Sequence, residues 1–156
     1  MTSESTDNSV DMLKKIFEMQ SDLNNYVFSK NKIHDEAGEL LNMNAIFSAT
    51  NNGELKVNQL PNTWLSKYSK AMSEEIVELD EELLWKWWSK DEIDIQNIRV
   101  ELIDILHFLV SSMICAGLTP DKVFDIYCKK HSVNLNRQDS DYSKSNKTES
   151  DNKGIN

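Results

Sequence analysis

Residues 98–115 read IRVELIDILHFLVSSMIC. Apolar side chains fall on nearly every face of an α-helix across this stretch, which predicts a central helix buried on all sides. Two carboxylates, Glu101 and Asp104, interrupt it one turn apart. Gly117 stands where a helix C-terminal cap belongs, and Thr119-Pro120 supplies a cap and a first residue for the next helix. That helix is expected to run to about His131. Toward the N-terminus, a first helix is expected over about Ser9–Phe28, with Leu13, Phe17, Gln20, Asn24 and Val27 on one stripe. A second helix is capped by Asn62 or Thr63 and runs to about Trp88, followed by a charged connection over Lys90–Asn97. A short helix near Asp35–Leu41 and a loop at 49–62 (ATNNGELKVNQLPN) fill the interval. The expected fold is all-α, a compact four- to five-helix bundle.

Composition agrees. Four glycines and two prolines in 156 residues are too few turn formers for a β-sandwich. The length suits one domain, expected at 9–138 between a disordered lead-in at 1–8 and a flexible tail at 139–156. Net charge is −9, which argues against a nucleic-acid backbone as partner. No run approaches the roughly 18 apolar residues of a membrane span, and the acidic start is no signal peptide. Cys115 and Cys128 sit in apolar helical patterns and read as reduced core thiols, so a cytoplasmic location is expected.

Charge is concentrated. Met72–Asp104 holds 11 acids and three bases, a net −8. Glu75 and Glu78 are spaced i,i+3 on the second helix, and Glu101 and Asp104 repeat the spacing on the third. Carboxylates inside an apolar pattern need a strong partner. Four oxygen donors from two facing helices suit a hard divalent cation, most naturally Mg²⁺. The plainer readings are a solvated face for Asp80, Glu81 and Glu82, and salt bridges to neighbouring lysines for Glu101 and Asp104. A di-iron bundle would need two Glu-x-x-His motifs, and the sequence offers Asp104-x-x-His107 once. No EF-hand loop is present.

Glu74-Glu75-Ile76-Val77-Glu78, then 22 residues, then Glu101-Leu102-Ile103-Asp104 resembles the EExxE…ExxD signature of the all-α nucleoside triphosphate pyrophosphatases. That group includes MazG-type enzymes and the dimeric dUTPases. Trp85-Lys86-Trp87-Trp88, the flanks of Glu101 through Phe108, and Lys130–Gln138 with Tyr142 resemble the dimeric dUTPase branch; Met19-Gln20-x-x-Leu23-Asn24 fits its first helix. The resemblance spans about residues 10–142. It implies a helical fold, two or three Mg²⁺ ions per site, hydrolysis of dUTP to dUMP and pyrophosphate, and a homodimer. By carry-over, Glu75, Glu78, Glu101 and Asp104 are metal ligands; on chemical grounds Glu75 or Glu78, held near the metal, is the candidate general base for the attacking water. Gln20 and Asn24 face the uracil, and Lys130, Asn134, Arg137 and Tyr142 hold phosphates. The sequence departs from larger members of the branch in two places. Only 22 residues separate His107 from Lys130, and Ser89 stands where a lysine often follows the Trp-Trp pair.

Beside the resemblance, the residues have readings of their own. Amides on an apolar stripe need partners, and uracil offers a donor between two acceptors; other helices or water would serve as well. Arg137 can grip phosphate bidentately, whereas Lys129 and Lys130 also suit a helix C-terminus. Trp64 is a base-pocket wall or a loop anchor, His107 a substrate contact or a core histidine, and Lys86 a substrate contact. Trp85 and Trp88 share one side of the second helix and Trp87 another, for core or dimer packing. Phe108 or a tryptophan could exclude a ribose 2′-hydroxyl. A broader MazG-like pyrophosphatase, acting for example on dCTP, and a non-enzymatic helical adaptor are the alternative readings.

Overall fold

The computed structural model describes residues 11–57, 59–139, 152, 154 and 155. The lead-in at 1–8, Tyr142 and most of the expected tail lie outside these. Among the described residues the chain is all-helical, with α1 (Met12–Lys30), α2 (Met43–Asn51), α3 (Leu60–Glu82), α4 (Ile95–Cys115) and α5 (Pro120–Asp139). It divides into two units, Met1–Gly117 and Leu118–Asn156, a boundary inside the span expected as one domain.

In the first unit α3 and α4 form the most extensive helix pair, and α1 and α2 pack onto them. Asp11 starts α1, its carboxylate accepting from the Lys14 amide at 3.0 Å. Phe17, Gln20, Asn24 and Phe28 are the buried face of α1. Leu41, Met43, Ile46, Ala49, Tyr68, Val110, Ile114 and Cys115 complete the core. Gly117 caps α4 with φ +73°, and Thr50 Oγ1 donates to the Cys115 carbonyl beside it at 2.6 Å.

Several expectations are corrected. No helix forms at Asp35–Leu41. The Asp35 carboxylate takes the amides of Ala37 and Glu39 at 2.9 and 3.0 Å, and Gly38 turns at φ +83°, so the segment closes as a tight loop. Residues 49–51 belong to α2, which the sequence reading missed; Asn42 and Asn25 satisfy its first amides. Helix α3 starts at Leu60, with Gln59 rather than Asn62 or Thr63 at the cap and Pro61 in the first turn. It ends at Glu82 instead of Trp88. Asp80, Glu81 and Glu82 crowd carboxylates at the negative end of the helix dipole. The three tryptophans beyond it are exposed, Trp87 at 88%, and pack edge-on to one another rather than into a core. Helix α4 starts at Ile95 under an Asp94 cap, inside the expected connection. It is buried only in its second half; Leu102 and Ile103 are 50% and 53% exposed. Cys128 is exposed, so only Cys115 is a core thiol; burial pushes Cys115 up to about 12.

The second unit holds α5, with Thr119 as its cap as expected, but the helix continues past His131 to Asp139. No single helix among the described residues is long and apolar enough to cross a membrane.

Candidate functional site

Glu75 and Glu78 lie on α3, and Glu101 and Asp104 on the exposed half of α4. Because α3 and α4 are neighbours joined by residues 83–94, the end of one meets the start of the other. One carboxylate oxygen from each of Glu75, Glu78 and Glu101 lies within 4.8 Å of the others. Asp104 does not join that triad but flanks it closely enough to act on its charge. Partial burial, then Glu78, Asp104, Glu101 and Glu74, hold the Glu75 carboxyl above its ordinary range. Glu101 is raised by the same cause first, then by Glu78, Asp104 and Glu82. Among the described residues none of the four is ion-paired; the salt bridges found are Lys15–Glu18 and Lys129–Asp125. The expected alternative of lysine bridges to Glu101 and Asp104 is therefore not what these residues form.

The donor set fits a hard divalent cation. It is all oxygen and is held on two packed helices. Glu101 Oε2 is shielded from water with no hydrogen-bond partner, an arrangement costly for a carboxylate that keeps no cation.

One turn beyond Asp104 on α4, His107 opens a second cluster. Its Nδ1 lies 2.5 Å from Gln20 Oε1. Gln20 Nε2 donates to Asn24 Oδ1 at 3.1 Å, and Asn24 Nδ2 donates to Ser111 Oγ at 2.9 Å. Ser111 Oγ donates to the His107 carbonyl at 2.9 Å, closing a ring. Both amides are buried and find partners within the chain, as the plainer reading allowed. A cleft of about 460 Å³ opens beside them, walled by Ile16, Met19 and Leu23 of α1 and Ile103, Leu106 and Val110 of α4. Gln20 and His107 are its polar groups. Ser111 escaped the sequence reading. A serine in an apolar helix is usually satisfied by its own i−4 carbonyl, and nothing local signals its second partner.

Two other carried-over residues lie elsewhere in the first unit. Trp64 is half-buried in an aromatic row, 4.6 Å from Phe28 and 5.8 Å from Tyr68 by ring centroids, and Tyr68 lies 6.4 Å from Phe108. This favours the anchor over the pocket wall. Lys86 lies past the end of α3, 5.4 Å from the Trp85 ring centroid, in a depression with Val77, Asp80 and Glu81 rather than with the triad. In the second unit Lys130, Asn134 and Arg137 share one helical face at i, i+4 and i+7, and Lys130 Nζ donates to Asn152 Oδ1 at 2.6 Å.

A family model described as dUTPase matches residues 12–122. The match holds the four carboxylates, Gln20, Asn24, Trp64, Lys86 and His107, and ends before Lys130. The dCTP pyrophosphatase of Enterobacteria phage LZ5 is 30% identical over 110 residues, 70% of this chain and 56% of that protein. The dCTP pyrophosphatase of Enterobacteria phage T4 is 28% identical over 113 residues, 72% and 58% respectively. The chain thus spans a little over half the length of these curated relatives. No solved structure matches it. With the matched region containing both carboxylate pairs and the amide ring, the chain belongs to this dUTPase family.

Proposed function

We propose that the chain is a divalent-metal-dependent pyrophosphatase that converts a pyrimidine deoxynucleoside triphosphate to its monophosphate and pyrophosphate, with dCTP as the preferred substrate. The observation that carries the activity is the convergence of Glu75, Glu78 and Glu101 on one point from two helices. Like-charged carboxylates with no ion pair would repel a triphosphate unless cations lie between them. These three residues, with Asp104, would hold Mg²⁺, which when bound supplies charge neutralisation and an acidified water. A carboxylate whose affinity for protons is raised by partial burial and then by its neighbours suits general-base work, and Glu75 is that group on α3. The cleft beside Gln20 and His107 would take the base. Its walls are apolar, and its few polar groups leave selectivity to hydrogen bonding.

The two phage relatives, both named dCTP pyrophosphatases, support cytosine over uracil. The dUTPase family model supports the second reading, dUTP. On α5, Lys130, Asn134 and Arg137 would offer phosphate a face of two bases and one amide, the role the sequence reading gave them. A homodimer accords with apolar side chains left exposed on α1 outside the cleft, Met12 at 75% and Tyr26 at 62%.

Pyrophosphate release is measured from dCTP, dUTP, dTTP and UTP, each with Mg²⁺ and with EDTA, and the same preparation is sedimented. Release from dCTP ahead of the others, lost in EDTA, is the expected result. Preference for dUTP selects the second reading, and no release from any nucleotide by a folded protein removes the enzyme reading in favour of the adaptor.

A further inference from the structure

The polar ring has a direction, and it can be deduced from its one group that can only accept. The His107 carbonyl takes the Ser111 hydroxyl proton. Ser111 Oγ therefore meets Asn24 as an acceptor, so Asn24 must present Nδ2 to it and Oδ1 to Gln20. Gln20 must then present Nε2 to Asn24, which turns its Oε1 to His107. An amide oxygen cannot donate, so His107 carries a proton on Nδ1. In the neutral ring this leaves Nε2 as a bare acceptor. Ser111 is fully buried and cannot exchange its partners for water.

Two groups remain for a ligand in the cleft: the second N–H of Gln20 and the Nε2 lone pair of His107, both on residues that line it. Among the described residues neither has another partner. A fixed donor beside a fixed acceptor reads the sense of a pyrimidine edge. Cytosine has a donor at position 4 and an acceptor at position 3; uracil has the reverse. With the pair held one way, one base gains both bonds and the other meets donor with donor and acceptor with acceptor.

We propose that Ser111 is a positioning residue that determines base specificity. By fixing the sense of the Asn24–Gln20–His107 chain, it holds one donor and one acceptor toward the base; with the Gln20 donor opposite position 3 and the His107 acceptor opposite position 4, the cleft selects the edge with the exocyclic amine, and so cytosine over uracil. This rests on the proposed function, in which the base enters this cleft. Ser111 touches no substrate; its effect passes through three side chains.

The test is the ratio of kcat/KM for dCTP to that for dUTP in the wild-type chain and in Ser111→Ala. Alanine removes the stronger of the two acceptors that orient Asn24 Nδ2 and leaves only the weak Met43 Sδ at 3.5 Å, so both amides can take either sense. The ratio is expected to fall toward one by about tenfold, the worth of one misdirected hydrogen bond. Mn²⁺ binding, read by its paramagnetic resonance, and helical circular dichroism should stay unchanged, which a merely structural loss would not allow. An unchanged ratio in folded Ser111→Ala overturns the inference while leaving the enzyme intact. A wild-type chain that hydrolyses neither nucleotide removes the functional reading, and the specificity role with it. Should Ser111→Ala not fold, nitrogen-15 imidazole spectra of wild-type His107 decide: the Nδ1–H tautomer is expected, and an Nε2–H tautomer overturns the inference.

Discussion

Helix α4 carries two polar clusters two turns apart, and they are opposites. Around Ser111 no like charges meet: Gln20, Asn24 and Ser111 are buried and joined with His107 in a hydrogen-bonded ring. Around Glu101 the groups are like-charged and half-exposed, with no counter-charge among the described residues. The first cluster finds within the chain the partners that orient it, so it specifies geometry. The second opposes itself, so it is stable only in company with something cationic. A site needs both: a rigid element to set distances and an unfinished one to bind.

The charged end is where the comparison breaks most sharply. Glu101→Gln removes one member of the triad and keeps its size. We expect turnover to fall by about a hundredfold or more, the scale of losing several kcal/mol of transition-state charge stabilisation. The melting temperature of the metal-free protein should hold or rise, because a repelled charge has gone. Turnover at the wild-type rate in this variant would show that the triad does not serve the reaction.

Asn24→Leu should give the reverse pattern. It strands the Gln20 Nε2 donor and the Ser111 Oγ acceptor in a buried setting, at a cost of about 1–3 kcal/mol. Thermal unfolding should move down by several degrees, while Mn²⁺ binding at the triad is kept. Adding Ser111→Ala to Asn24→Leu should recover part of the loss, since one orphan is then removed with its partner. A double variant less stable than the sum of the singles would mean that the ring is not the cooperative unit described.

The sequence made the charged cluster easier to see than the neutral one. Glu101 and Asp104 stand out because charge inside an apolar pattern is a local anomaly, and i,i+3 spacing places it on one face. Gln20 and Asn24 were visible as amides on an apolar stripe, but their partner Ser111 lies 87 residues from Asn24, beyond any periodicity. Helix α2 was missed because nine residues give too few turns for a repeat to register. The exposed half of α4 was misread for a different reason. An all-round apolar pattern records that a surface must be covered, but not whether the cover comes from the same chain. Trp85, Trp87 and Trp88 carried the same ambiguity, compounded by the early end of α3.

The smallest expected effect separates the clusters by pH. Glu75 and Glu101 hold protons more tightly folded than unfolded, because partial burial and then their acidic neighbours disfavour the charged form. Below the ordinary glutamate value of 4.5 both states are protonated and the repulsion is absent. As pH rises through that value the unfolded chain releases its protons first. The folded chain then binds more protons than the unfolded one, so stability falls with pH until the raised values are passed. The melting temperature of Glu101→Gln minus that of the wild type, both metal-free, should therefore grow from about pH 4.5 toward neutrality and then level off. It should remain within a few degrees, because half-exposed charges are screened by water. Saturating Mg²⁺ should narrow or reverse the difference by stabilising the wild type alone. A difference that is flat with pH, or largest in acid, would mean that the carboxylates do not strain the fold, and the contrast between the two ends of α4 would then be one of shape rather than of charge.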